Sequence, residues 1–259
     1  MNGIKELIEE MSKIGEIESI ALAGSRTVNL NDELSDYDVY VYCNNEIDKE
    51  IRHNILKKYC KYMEINNTYW ETEDDCILNN GVVIEFIYRN LKGFEEAIKS
   101  VLIEGNAYNG YTTCMWNNLL NCKVLFDRNG KLTEMKKRYD IPYPEKLQKN
   151  IIKKNLELLD GNIPSFSDQI KKASKRGDIV SVNHRITEFL ASYFDLIFAC
   201  NKVTHPGEKR MVEHCLNECE SLPKDFEKNI KLLLSNLYSS QIISYALESI
   251  LENLKDWIK

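Results

Sequence analysis

The chain has 259 residues, enough for one large domain or two ordinary ones, with 43% hydrophobic and 29% charged residues. That balance is typical of a soluble globular protein, and a formal charge of −6 argues against an extensive nucleic-acid footprint, which needs a basic face. Met1–Glu10 lacks the apolar stretch of a signal peptide, and no run approaches the ~20 apolar residues that span a bilayer, so no membrane partner is expected. The eight cysteines are scattered without a Cys-x-x-Cys, which reads as reduced thiols in a cytoplasmic protein.

In chain order, Ile4, Leu7, Ile8, Met11 and Ile14 repeat with a helical period over residues 3–14. Ile17–Ala23 reads as a first strand that ends at Gly24-Ser25-Arg26. A polar loop follows, and then Ser35-Asp36-Tyr37-Asp38-Val39-Tyr40-Val41 opens a second strand running to Cys43. Side chains alternate along a strand, so Asp36 and Asp38 project the same way. Two carboxylates side by side repel, and a hard divalent cation such as Mg²⁺ removes the penalty by taking both as ligands. The Gly24-Ser25 turn beside them offers backbone N–H groups and a hydroxyl, the donors a phosphate chain requires. The pattern is that of a site for a metal–nucleotide complex.

Ile47–Tyr62 is expected to be a helix with Ile51, Ile55, Leu56 and Tyr59 on its apolar face. Glu71–Gly81, with Glu73-Asp74-Asp75 and Asn79-Asn80-Gly81, favours loop and turn. Val82–Arg89 is β-branched and aromatic and reads as a strand, interrupted by the acid Glu85. An acid in an apolar strand normally needs a partner, and the plain readings are an ion pair with Arg89 or an exposed strand edge. Tyr139-Asp140-Ile141-Pro142-Tyr143-Pro144 breaks the periodicity and places a domain boundary, giving domains 1–140 and 141–259. Beyond it helices are expected over Glu145–Leu159, Ser165–Arg176, Asp178–Asn201, Glu208–Cys219 and, with a break, Asp225–Ile258. The fold class is thus α+β, a small mixed-sheet domain followed by an all-helical bundle.

The helix from Asp178 is apolar around most of its circumference, yet Ser181, Arg185, Glu188, Ser192 and Asp195 step along one side. The stripe faces either water or a cleft. In a cleft, Arg185 would meet a phosphate, and Glu188 or Asp195 an acceptor hydroxyl. Asp178 is placed to cap the helix, and Lys202 just past its end could neutralise phosphate. Tyr37, Tyr40 and Tyr42 flank the aspartates, where one could stack on a base. His214, Cys215 and Cys219 lie close on one helix, as soft-metal ligands or, without an evident fourth ligand, as buried thiols.

Gly24-Ser25, a loop, and then Asp36-x-Asp38 on a strand resembles the signature of the nucleotidyltransferase superfamily, the DNA polymerase β-like fold. The antibiotic nucleotidyltransferases are among its small bacterial members. The later segments, including Asn201–Arg210, look like uncharacterised bacterial proteins that pair such a domain with a helical C-terminal domain. The resemblance implies transfer of a nucleoside monophosphate from an NTP such as ATP to a hydroxyl of a small molecule, releasing pyrophosphate, with one or two Mg²⁺. It implies that Asp36, Asp38 and Glu85 hold the metal, Glu85 matching the superfamily's third carboxylate. Gly24, Ser25 and Arg26 would then bind the nucleotide; on the cleft reading of the stripe, and not from the resemblance, Arg185 and Lys202 would meet the phosphates and Glu188 would be a further catalytic residue. Two alternatives stay open: nucleotidylation of a protein or RNA, of the toxin–antitoxin kind, and a non-catalytic nucleotide sensor.

Overall fold

The computed structural model describes residues 2–24 and 36–259. The chain packs as two units, Met1–Lys99 with Asn118–Ile141, and Ser100–Asn117 with Pro142–Lys259. The first half runs α1 (Asn2–Met11), β1 (Ile17–Ala23), β2 (Tyr37–Cys43), α2 (Lys49–Leu56), β3 (Cys60–Asn67), β4 (Thr72–Leu78) and β5 (Val83–Asn90). It continues through α3 (Leu91–Leu102), α4 (Cys114–Asn121), β6 (Lys123–Asp127) and α5 (Lys131–Tyr139). The strands form one mixed sheet in the order β3-β4-β5-β2-β1-β6. Among the described residues, the β2–β5 pair alone is parallel and the other ladders are antiparallel.

Period-two alternation sends Val39 and Val41 of β2, Ile84 and Phe86 of β5, and Cys76 and Leu78 of β4 to one face. There they form a core with Leu7, Ile8 and Met11 of α1 and Leu56 of α2. The opposite face carries Asp38, Tyr40 and Tyr42 of β2, in register with Glu85, Ile87 and Arg89 of β5.

Two expectations for this half are corrected. The helix expected over 47–62 ends at Leu56, and β3 begins at Cys60. Glu71–Gly81, expected as loop, contains β4. Its acidic run tolerates a strand because the pleat separates the charges. Asp74 turns to the core, fully buried, where Arg52 Nη1 donates to it at 2.6 Å and the Tyr88 hydroxyl at 2.9 Å. Arg52 also donates to Asn66 at 2.9 Å and lies 4.6 Å over the Tyr88 ring. A buried charge is tolerated only when it is paired and hydrogen-bonded in this way.

The second half is helical: α6 (Glu145–Leu156), which widens into a π-helical turn at Glu157–Gly161, then α7 (Phe166–Lys175) and α8 (Ile179–Cys200). α9 (Met211–Glu218), α10 (Phe226–Leu234) and α11 (Ser240–Trp257) complete it. The core gathers around α8, with Ile186, Phe189, Tyr193 and Ile197 packed among Phe226, Ile230, Leu247 and Leu251. Asp178 caps α8 as expected, accepting from Ser181 N at 3.1 Å, and Ser165 with Asp168 forms a capping box on α7. Among the described residues no helix is long and apolar enough to cross a membrane.

Candidate active site

β1 ends opposite β2 with Ala23 paired to Asp38. The next residue, Gly24, has φ +73°, and a Cβ on it would sit 1.7 Å from Oδ2 of Asp38 and 2.9 Å from Cγ. Only glycine permits both the left-handed backbone and this approach. The Asp38 carboxylate therefore rests against the bare α-carbon of the turn, joining the two parts of the sequence pattern. Ser25 and Arg26 lie outside the described residues.

Parallel pairing of β5 with β2 puts Glu85 beside Asp38. Antiparallel pairing of β4 with β5 puts Asp75 beside Glu85 on its other flank. Adjacent strands lie about 4.8 Å apart, so Asp38, Glu85 and Asp75 form a row across three strands on one face. Glu73, two residues before Asp75, shares that face, and Asp36 precedes β2 on the exposed surface. Glu85 is half-buried, and its carboxyl titrates above the usual range. Burial is the largest cause, followed by the charges of Asp38, Asp75, Asp36 and Glu73.

Arg89 does not compensate this charge. Its Nε donates to Glu71 Oε2 at 2.6 Å, its Nη2 to the other oxygen, and its guanidinium lies 4.1 Å over the Tyr40 ring. The alternative of a Glu85–Arg89 ion pair is thereby excluded, and Glu85 has no hydrogen-bond or ion-pair partner among the described residues. The same contacts remove the tyrosines as base platforms. Arg89 covers Tyr40, Tyr42 is fully buried with its ring 4.9 Å from that of Phe94, and Tyr37 packs against the core on the other face.

An all-oxygen, anionic donor set seated against a glycine suits a hard divalent cation. Among the described residues, no three His, Cys, Asp or Glu side chains are already gathered as a metal cage.

The remaining candidates belong to the second unit, where Arg185 and Glu188 are exposed on α8 and Lys202 is exposed just beyond it. The stripe that contains them divides. Its far end is buried, with Ser192 at 0% and Asp195 at 1% exposure. Asp195 accepts from Thr112 N at 3.0 Å, Thr112 Oγ1 at 2.7 Å and Asn155 Nδ2 at 3.1 Å. Burial raises its carboxyl to about 6 against the pull of those hydrogen bonds. Asp195 thus fastens the segment before α4 to α8 and faces neither water nor a cleft. His205 is structural too: its backbone N–H donates to Thr113 Oγ1 at 2.8 Å, and its ring lies 4.7 Å from Tyr111 and 4.9 Å from Phe198.

Sequence reasoning missed Asp75 and Glu73 as neighbours of Glu85. The signal was present in the alternation Glu73, Asp75, Ile77 against Asp74, Cys76, Leu78, hidden by the acidic run.

Comparison with known proteins matches residues 4–108 to the family described as "Nucleotidyltransferase domain" and residues 112–211 to "Domain of unknown function (DUF4037)". A search of curated proteins returned no match. Among solved structures, a nucleotidyltransferase-like protein from Exiguobacterium sibiricum is similar at 16% identity and a TM-score of 0.48, covering 98% of this chain and 74% of that one. An aminoglycoside 6-adenyltransferase from Bacillus subtilis follows at 10% identity and a TM-score of 0.28, covering 97% and 90%. The CCA-adding enzyme of Thermotoga maritima, solved with tRNA, matches at 10% identity and a TM-score of 0.33, covering 99% and 81%. The chain therefore carries a nucleotidyltransferase domain over residues 4–108, followed by a mostly helical DUF4037 region over residues 112–211 that includes strand β6.

Proposed function

From a nucleotidyltransferase domain whose Gly24, Asp38 and Glu85 converge on one sheet face, we propose that the protein transfers a nucleoside monophosphate from an NTP to a hydroxyl of a small molecule. The observation that carries the proposal is the seating of Asp38 on the bare α-carbon of Gly24, with Glu85 directly alongside. Asp36, Asp38 and Glu85 are the residues that would hold one or two Mg²⁺. When bound, the ion would neutralise triphosphate charge and polarise the reacting phosphoryl group.

Gly24 keeps the turn open to the triphosphate, with Ser25 and Arg26 following it as donors. The acceptor oxygen attacks the α-phosphorus, the bond to the leaving pyrophosphate breaks, and the hydroxyl proton passes to a base. Glu85 either completes the metal site or, left uncoordinated, takes that proton. Arg185 and Lys202, as phosphate ligands, and Glu188, on the acceptor, belong to the same proposal, as does the division into domains 1–140 and 141–259. All eight cysteines are free thiols, which supports a cytoplasmic setting.

The test is calorimetric titration of the full chain with ATP, GTP, CTP and UTP, each with and without Mg²⁺. Metal-dependent binding of one nucleotide, lost in Asp36→Asn, is the expected result. Absence of binding by all four, from a protein with a normal melting transition, would refute the proposal.

A further inference from the structure

Among the eight thiols, two pairs stand close together with opposite access. On α9, Cys215 is fully buried, while Cys219, the residue that ends the helix, is partly exposed. The backbone N–H of Cys219 donates to the carbonyl of Cys215 at 3.1 Å, which fixes one helical turn between them. Cys219 itself has left the helix, with φ −86° and ψ 132°. One turn holds the two α-carbons about 6 Å apart, inside the range a disulfide spans, and the β-carbons about 5–6 Å apart, so the bond requires the last turn of α9, which Cys219 has already left, to tighten by about 1–2 Å. The second pair, Cys60 and Cys76 on the neighbouring strands β3 and β4, is 7% and 1% exposed and lies in the core of the sheet.

We propose that Cys215 and Cys219 are a peroxide-sensitive dithiol, with Cys219 as the attacking thiol and Cys215 as the resolving one. Cys219 is the sulfur that solvent reaches, and Cys215 stands behind it with no route to solvent. A hydrogen bond donated by the Cys215 thiol favours the thiolate of Cys219, outweighing partial burial and the nearby charge of Glu218. In the first step the Cys219 sulfur attacks a hydroperoxide oxygen. An S–O bond forms, the O–O bond breaks, and the leaving oxygen departs as water or alcohol with the proton. In the second step the Cys215 sulfur attacks the Cys219 sulfenic acid. The S–S bond forms, the S–O bond breaks, and a water leaves with the Cys215 proton. Two thiols are oxidised and one peroxide is reduced. The bond would tie the end of α9 back onto its own last turn, beside the apolar cleft of about 480 Å³ lined by Leu190, Phe194, Met211, Val212 and Leu216.

The test is peptide mapping of the full chain after stepwise addition of hydrogen peroxide and alkylation of the remaining free thiols. The expected product is a peptide containing both Cys215 and Cys219 that has lost two hydrogens, resists alkylation and is restored by dithiothreitol. Cys60 and Cys76 should stay alkylatable once the protein is denatured. In Cys215→Ser, Cys219 should stop at a sulfenic acid that dimedone traps. Full alkylation of Cys215 and Cys219 in the peroxide-treated wild type would overturn the proposal. So would a bond from Cys219 to Cys200 instead, or direct oxidation of Cys219 to sulfinic acid. The wild-type mapping decides the matter even if the serine variant folds poorly.

Discussion

Replacing Gly24 with alanine perturbs the candidate site at its narrowest point. The new methyl would sit 1.7 Å from Asp38 Oδ2, so the carboxylate must swing away. Two costs follow. Holding alanine at φ +73° costs about 1–2 kcal/mol, and an off-rotamer Asp38 about 1 kcal/mol more. Together these predict a loss of about 2–3 kcal/mol and a fall in melting temperature of roughly 5–10 °C. Activity should suffer far more, because displacing a catalytic group by about 1 Å costs on the order of 10²-fold. Gly130 supplies the control: its φ is +72°, yet nothing lies within 4 Å of a Cβ placed there. Gly130→Ala should therefore show the backbone cost alone, about 1–2 kcal/mol, with turnover intact. The assay is pyrophosphate release by both variants once the donor nucleotide is known, alongside thermal melts. Turnover of Gly24→Ala equal to that of Gly130→Ala would refute the reasoning, since steric displacement of Asp38 is all that separates them.

Three further outcomes are expected. Asp38→Asn should abolish pyrophosphate release while leaving the melting temperature within a few degrees of wild type, and a fully active variant would remove Asp38 from the site. Asp74→Ala leaves the Arg52 guanidinium charged and buried, so urea denaturation should show a loss of about 3–5 kcal/mol. Replacing the pair together, as Arg52→Met with Asp74→Leu, should recover most of that loss, and a single variant costing under about 1 kcal/mol would contradict the buried-charge account. Burial holds the His205 imidazole down at about 3, against an ordinary value of 6.5. The unfolded chain therefore binds this proton first, and stability is lost as pH falls below about 6.5. Against His205→Phe, which cannot titrate there, the wild type should lose about 2 kcal/mol more between roughly pH 7.5 and pH 5. Parallel pH profiles for the two proteins would show that the ring titrates normally.

Much of the fold could be read where one periodicity ruled a segment. Ile17–Ala23 forms the expected strand with the same bounds, and the helices after residue 144 follow the apolar repeats. Failure came where two periodicities fitted. Ile51, Ile55, Tyr59 and Tyr62 recur every three or four residues and extend a helical pattern past its true end at Leu56. Ile51 is 45% and Tyr62 51% exposed, while Ile55 and Tyr59 pack against the core, so the repeat marked a buried stripe only in part. The strand pattern from Cys60 onward was the one that packing selected.

The site divides along the same line. Asp36 and Asp38 could be proposed because their spacing and the Gly24-Ser25 dipeptide are local in sequence, and Glu85 because an acid in an apolar strand is conspicuous. Asp195 was not, because what buries it is Thr112, 83 residues away in sequence. Asp74 and Asp75 make the physical point most sharply. They are consecutive and chemically identical, yet the pleat sends one to Arg52 and the other to Glu85. Asp74 has its charge neutralised and becomes part of the core. Asp75 and Glu85 share a face where Arg89, the nearest candidate partner on β5, is held by Glu71. An acidic run in a sequence is therefore not one feature but two: Asp74 is neutralised in the core by Arg52, whereas Asp75 accepts from the neutral Asn67 amide at 2.8 Å and keeps its charge beside Glu85.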